Sequence, residues 1–170
     1  MQDADLFMEL AGIAGVFVGF GALIAIRSDG TTGSWDVASI GMIVWGGAQV
    51  IILALTPVAI SRFAVPSHAL WASCSALFLV VFWILTELLE RSFPERMAMR
   101  AAWPIRARWR LEVVGLVVLF PMHLALVVIL LGVAPGAEAA LYFGALVLLL
   151  LIDVAMFLFV VVSGGRPRPA

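Results

Sequence analysis

The stretch from Arg91 to Arg110, RSFPERMAMRAAWPIRARWR, holds six of the ten basic residues in this 170-residue chain. Three long apolar segments precede it, Leu6–Ile26, Val37–Ile60 and Ser67–Leu89, and two follow, Leu111–Leu131 and Glu138–Val162. Each is long enough to cross a hydrocarbon core, which needs about 20 residues. Arg27 lies in the first connection and Arg166 and Arg168 in the tail, whereas the second connection has only Arg62 and the fourth no charge. Short Arg-rich connections stay cytoplasmic. The sequence therefore predicts an all-α polytopic integral membrane bundle of five transmembrane helices, N-outside and C-inside. One membrane domain covers 1–170, with an Arg-rich cytoplasmic loop at 90–110.

Composition agrees. Hydrophobic residues make up 64% of the chain and charged residues 12%, against roughly 25% charged in a soluble domain. Mean hydropathy is +1.16. The net charge of -1 says little as a total, because the charges are sorted by side. Every basic residue is Arg and none is Lys, the codon habit of a GC-rich bacterial genome, so the expected location is the cell inner (plasma) membrane. The first segment has no positive residue before it and is longer than a signal-peptide core, so it reads as a retained helix. Cys74 stands alone and supports neither an intrachain disulfide nor a CxxC pair.

The 90–110 loop mixes its Arg residues with Phe93, Trp103 and Trp109, and Pro94 and Pro104 divide it. Such a segment is expected to lie along the headgroups, with Trp at the interface and Arg96, Arg100, Arg106, Arg108 and Arg110 on anionic lipid. The alternative is a docking surface for a soluble partner or RNA; no nucleic-acid partner is expected.

Small residues crowd the first helix: Gly12, Gly15 and Gly19 recur with Ala11, and Gly15 and Gly19 form a GxxxG. That spacing puts a flat strip on one helix face, where another backbone can approach closely. The strip serves either packing within the chain or an interface between copies. Gly46 and Gly47 notch the second helix in the same way.

Asp153 is the most informative single residue. It lies about nine residues from the inner end of the fifth helix, roughly 13 Å deep, among Leu and Val. An isolated charged carboxylate there costs about 2.5–3.5 kcal/mol even on the mildest insertion scale. It must face the bundle, be protonated or find a partner. Structurally it is a neutral Asp bonded to a neighbouring helix; functionally it is an ion or proton site. Gln49 near the middle of the second helix and His123 near the middle of the fourth are its candidate neighbours. His123 comes out about 5 Å outward of Asp153 counted from the inner end, and about 10 Å counted from the outer turn. Glu112 lies about three turns before His123 on the same face. With Glu138 at the outer rim these residues trace a polar route; taken singly, the terminal Glu residues are interfacial charges that snorkel.

Other chemistries are set aside. No His or Cys pair has metal-ligand spacing, no potassium-filter sequence occurs, and no Ser-His-Asp set or phosphate loop is present, so neither a metal, a cofactor nor an enzyme is expected. Two readings lead, ahead of a lipid-modifying enzyme, for which no acid-base or nucleophile pair can be placed. One is a small homo-oligomeric membrane protein that conducts or couples to protons or cations through Asp153. The other is a non-transporting scaffold or accessory subunit that binds lipid or a partner through the Arg-rich loop.

Overall fold

A computed structural model of the chain describes residues 4–27, 34–92 and 105–164. They form five α-helices: α1 (Ala4–Arg27), α2 (Ser34–Ile60), α3 (Ser67–Ser92), α4 (Ile105–Leu130) and α5 (Glu138–Gly164). No strand occurs among the described residues. Among the described residues, four segments are long and apolar enough to cross a membrane: Ala4–Leu23, Ile43–Phe63, Ser67–Leu88 and Glu138–Leu158. In α4 the apolar stretch among the described residues is Gly115–Leu130. The helix itself starts early, at Ile105 rather than Leu111. Pro104 directly before it suits a helix entry, because a proline there sacrifices no helical hydrogen bond.

Local chemistry sets the turns. A 3-10 turn, Ser61–Phe63, ends α2, and Ala64 follows in the left-handed region at φ 52°. The Pro66 carbonyl then accepts the Leu70 N–H at 2.9 Å and starts α3. Helix α4 closes in a Schellman motif: Val133 N–H donates to Val128 O at 3.2 Å and Gly132 N–H to Ile129 O at 3.0 Å. Gly132 has φ 64°, a conformation that only glycine adopts without steric cost. Ala137 supplies the first carbonyl of α5, accepting from Leu141 at 2.9 Å.

Helices α2 and α5 are the central pair. Helix α2 packs on α1, α3 and α5, while α5 packs on α2 and α4 and touches α1 and α3. Contact between α3 and α4 completes a circuit of four helices, with α1 laid along α2. The 61–66 and 131–137 turns mark one end of the bundle. There Phe7 of α1, Trp71 and Phe78 of α3, and Tyr142 of α5 form an aromatic cluster with centroids 5.7–6.1 Å apart. Deeper, Ile43, Val50, Leu53, Met122, Leu126 and Leu146 are fully buried.

Two prolines interrupt the ladders. Pro57 in α2 has no N–H, which leaves the Leu53 carbonyl without its helical donor. Tyr142, the only tyrosine in the chain, replaces it by donating its hydroxyl to Leu53 O at 2.9 Å. In α4, Pro121 likewise frees the Val117 carbonyl.

Candidate functional site

Asp153 lies on the α5 face that also carries Glu138 and Tyr142, as spacings of four and eleven require on a 3.6-residue helix. That face meets α2. Asp153 is 7% exposed, and its carboxyl group rests on Gly46: a Cβ built there would fall 2.5 Å from Asp153 Cγ. Any side chain at position 46 would displace the carboxyl group. The neighbouring Gly47 faces the other way, toward α1, where an added Cβ would meet a Val18 methyl at 2.6 Å and the Ala14 carbonyl oxygen at 3.3 Å. Adjacent helical residues point about 100° apart, so the glycine pair serves two contacts at once. One admits the α1 backbone; the other seats an acid.

Gln49 is one turn further along the same α2 face and is 6% exposed. Its Nε2 and the Asp153 Oδ2 are both buried without a hydrogen-bond partner among the described residues. A free donor and a free acceptor thus lie on one stretch of the α2–α5 contact. Buried polar atoms are nearly always satisfied; among the described residues Ser75 Oγ and His123 Nε2 are the other two exceptions.

His123 is elsewhere. Its Nδ1 donates to Leu119 O at 2.8 Å, and its ring packs on Phe82 and Trp83 with centroids 5.2 and 5.7 Å away. The α3–α4 contact therefore holds it, and no described hydrogen bond joins it to Asp153. Its Nε2 is buried and unpartnered. Glu138 is 5% exposed and accepts from His68 Nδ1 at 2.7 Å. The pair bridges the starts of α3 and α5 in a shallow cleft of about 370 Å³ lined also by Ser67, Gly132, Pro135 and Gly136. Sequence reading placed Glu138 at the outer rim and did not join it to His68. The signal that could have done so was two turns of similar length bringing two helix starts to one level.

The glycine strip of α1 is largely open. Nothing lies within 4 Å of a Cβ built on Gly12 or Gly19, and one on Gly15 meets only Ile51 Cδ1, at 4.0 Å. Within the chain, α1 approaches α2 instead through Ala14, Val18 and Gly21. Arg96 and Arg100, and the side chains of Arg106, Arg108, Arg110 and Glu112, lie outside the described residues. No cluster of three or more metal-ligating side chains occurs among those described.

No family model matches the chain, and no characterised protein or solved structure is similar enough to count as a match.

Proposed function

We propose that this chain is a small multi-pass membrane protein, N-outside and C-inside in a cell inner membrane, that loads and releases protons or small cations at Asp153. The observation that carries this reading is a carboxyl group more than nine-tenths buried, with one oxygen unpartnered, in a seat that only glycine leaves open. A merely structural acid would be expected to spend both oxygens on donors, because each unsatisfied buried group costs about 1–3 kcal/mol.

Several features support membrane insertion. Large apolar side chains are exposed on the bundle surface, among them Leu23, Trp83, Leu116, Val117 and Phe120 at 59–65% of full exposure. Soluble monomers rarely carry apolar patches beyond a few hundred Å². The sorting of Arg by side supports the orientation, and Arg106, Arg108 and Arg110 would rest on anionic lipid. Five helices make a thin bundle with little room for a central cavity, and the open face of Gly12 and Gly19 suits close approach of a second copy, so the working unit is proposed to be a homo-oligomer.

Reconstituted protein should dissipate a proton or cation gradient in liposomes, and Asp153→Asn should abolish this while leaving the helices folded. Wild-type protein that moves nothing under any gradient would leave the scaffold reading, in which the Arg-rich loop binds lipid or a partner.

A further inference from the structure

The seat of Asp153 also bears on which ion it takes. We propose that the species exchanged there is the proton itself, not a metal or alkali cation, and that Gln49 is the positioning residue serving both charge states of the carboxyl group. This rests on the reading of Asp153 as a loading site.

Space comes first. A cation of finite radius must sit between its ligands, and the carboxyl group already lies against the α2 backbone at Gly46. Room for an ion would require α2 to move away from α5. Gly47, however, is held on its other side by the Val18 side chain and the Ala14 carbonyl, so such a movement would also disturb the α1–α2 contact. A proton needs no volume.

Ligands come second. Hard cations such as Ca²⁺ and Mg²⁺ take about six or more oxygens. The seat offers the two oxygens of Asp153 and the one of Gln49, since the surrounding helical carbonyls are committed to their own ladders. No second acid, histidine or cysteine completes a cluster among the described residues. The described ion pairs are His68–Glu138 and Arg91–Glu87, and neither includes Asp153. Against Asp153, α2 presents Gly46, with Gln49 one turn further along; α1 meets α5 next to it through the Phe17 ring, 5.7 Å from Phe157; His123 of α4 is engaged with Leu119, Phe82 and Trp83.

Gln49 fits a proton better than a cation because its amide carries both a donor and an acceptor. Residues three apart on a helix are neighbours, about 5–6 Å between Cβ positions, so Gln49 borders the seat. Side chains lean toward the N-terminus of their helix, and α2 and α5 run antiparallel, so Gln49 and Asp153 lean toward each other. With the carboxylate ionised, a turn of the Gln49 side chain, whose Nε2 is unpartnered in the structure, lets it donate to Oδ2. When a proton arrives, an O–H bond forms on an Oδ2 lone pair, and the acid then donates to Gln49 Oε1 after a half-turn of the amide. Release breaks the same O–H bond. No electrons are exchanged and no third group is consumed.

The test uses full-length protein in liposomes with a trapped pH dye and a membrane-permeant anion to balance charge. Proton entry is measured in sodium, potassium and choline salts. The expected result is the same rate in all three, its loss in Asp153→Asn, and a fall of about ten-fold or more in Gln49→Leu, the factor that one hydrogen bond to a charged group carries. The salt comparison needs only wild-type protein, so it stands even if a variant misfolds. Asp153-dependent uptake of radiolabelled sodium, or proton entry that requires sodium or potassium, would overturn the proton assignment while keeping Asp153 as a cation site. Gradients that Asp153→Asn leaves unchanged would remove the loading-site reading and this inference together. An unaltered rate in folded Gln49→Leu would overturn the role given to Gln49.

Discussion

Replacing Tyr142 with Phe isolates a single hydrogen bond. The ring stays against Phe7, Trp71 and Phe78, and only the hydroxyl that serves the Leu53 carbonyl is lost. That carbonyl has no helical donor because residue 57 is proline. Leaving it buried and unpaired should cost about 1–3 kcal/mol. The same reasoning predicts a strong dependence on background. In Pro57→Ala the N–H of residue 57 can take up Leu53 O, so Tyr142→Phe should then cost only about 0.5 kcal/mol, the low end for a net hydrogen bond. The coupling between the two positions should therefore be about 0.5–2.5 kcal/mol. Unfolding equilibria in mixed detergent–SDS micelles measure this, and the fluorescence of Trp71, 5.7 Å from the Tyr142 ring, reports it locally. Equal costs in both backgrounds would show that the hydroxyl does not act for Pro57. No cost in the wild-type background would show that the bond contributes nothing to stability.

The glycine pair makes a second contrast. Gly46→Ala and Gly47→Ala should each destabilise by about 1–3 kcal/mol through overpacking, but only Gly46→Ala should be relieved by Asp153→Ala, as a double-mutant cycle in the same unfolding assay would reveal. Glu138→Gln and His68→Ala should each loosen the tie between the starts of α3 and α5 by about 1 kcal/mol, since His68 is half-exposed and water weakens the pair; the paired variant should cost little more than either alone. Single cysteines placed in a Cys74→Ser background at residues 132–137 should react with an impermeant reagent from outside the cell, and those at 91–110 only after lysis; the reverse pattern would refute the orientation. Replacing both Gly15 and Gly19 with Leu should lower the mass of the detergent-solubilised assembly; an unchanged mass would refute an interface through α1.

The number of helices was legible because five long apolar runs are separated by short connections. The start of α4 was not: the turns between Ile105 and Leu111 carry three arginines and a tryptophan, which read as an interfacial loop. Asp153 announced itself as a charge in an apolar run. Its seat did not, because helical periodicity tells which residues share a face but not which neighbour that face meets. The glycine pair of α2 read as one notch, and only the packing separates its two halves. The tie between His68 and Glu138 spans 70 residues, and neither residue alone differs from an ordinary rim charge. Tyr142 carried a usable hint that sequence reading passed over: a sole tyrosine in a chain with a mid-helix proline is a spare donor facing a spare acceptor.

The arrangement of α2 has a consequence for how the bundle can move. Gly46 and Gly47 settle which way the helix faces at one level, and Leu53 with Pro57 settles it again about 10 Å further on. A rotation by a single residue, about 100°, would drive a side chain into the acid and pull the tyrosine off its carbonyl together. The helix is thus keyed at two heights, like a shaft with two flats. Inserting one residue between positions 47 and 53 would put the keys out of phase, and no twist of α2 could restore both. Any movement that accompanied the proposed loading of Asp153 would have to leave the rotation of α2 as it is.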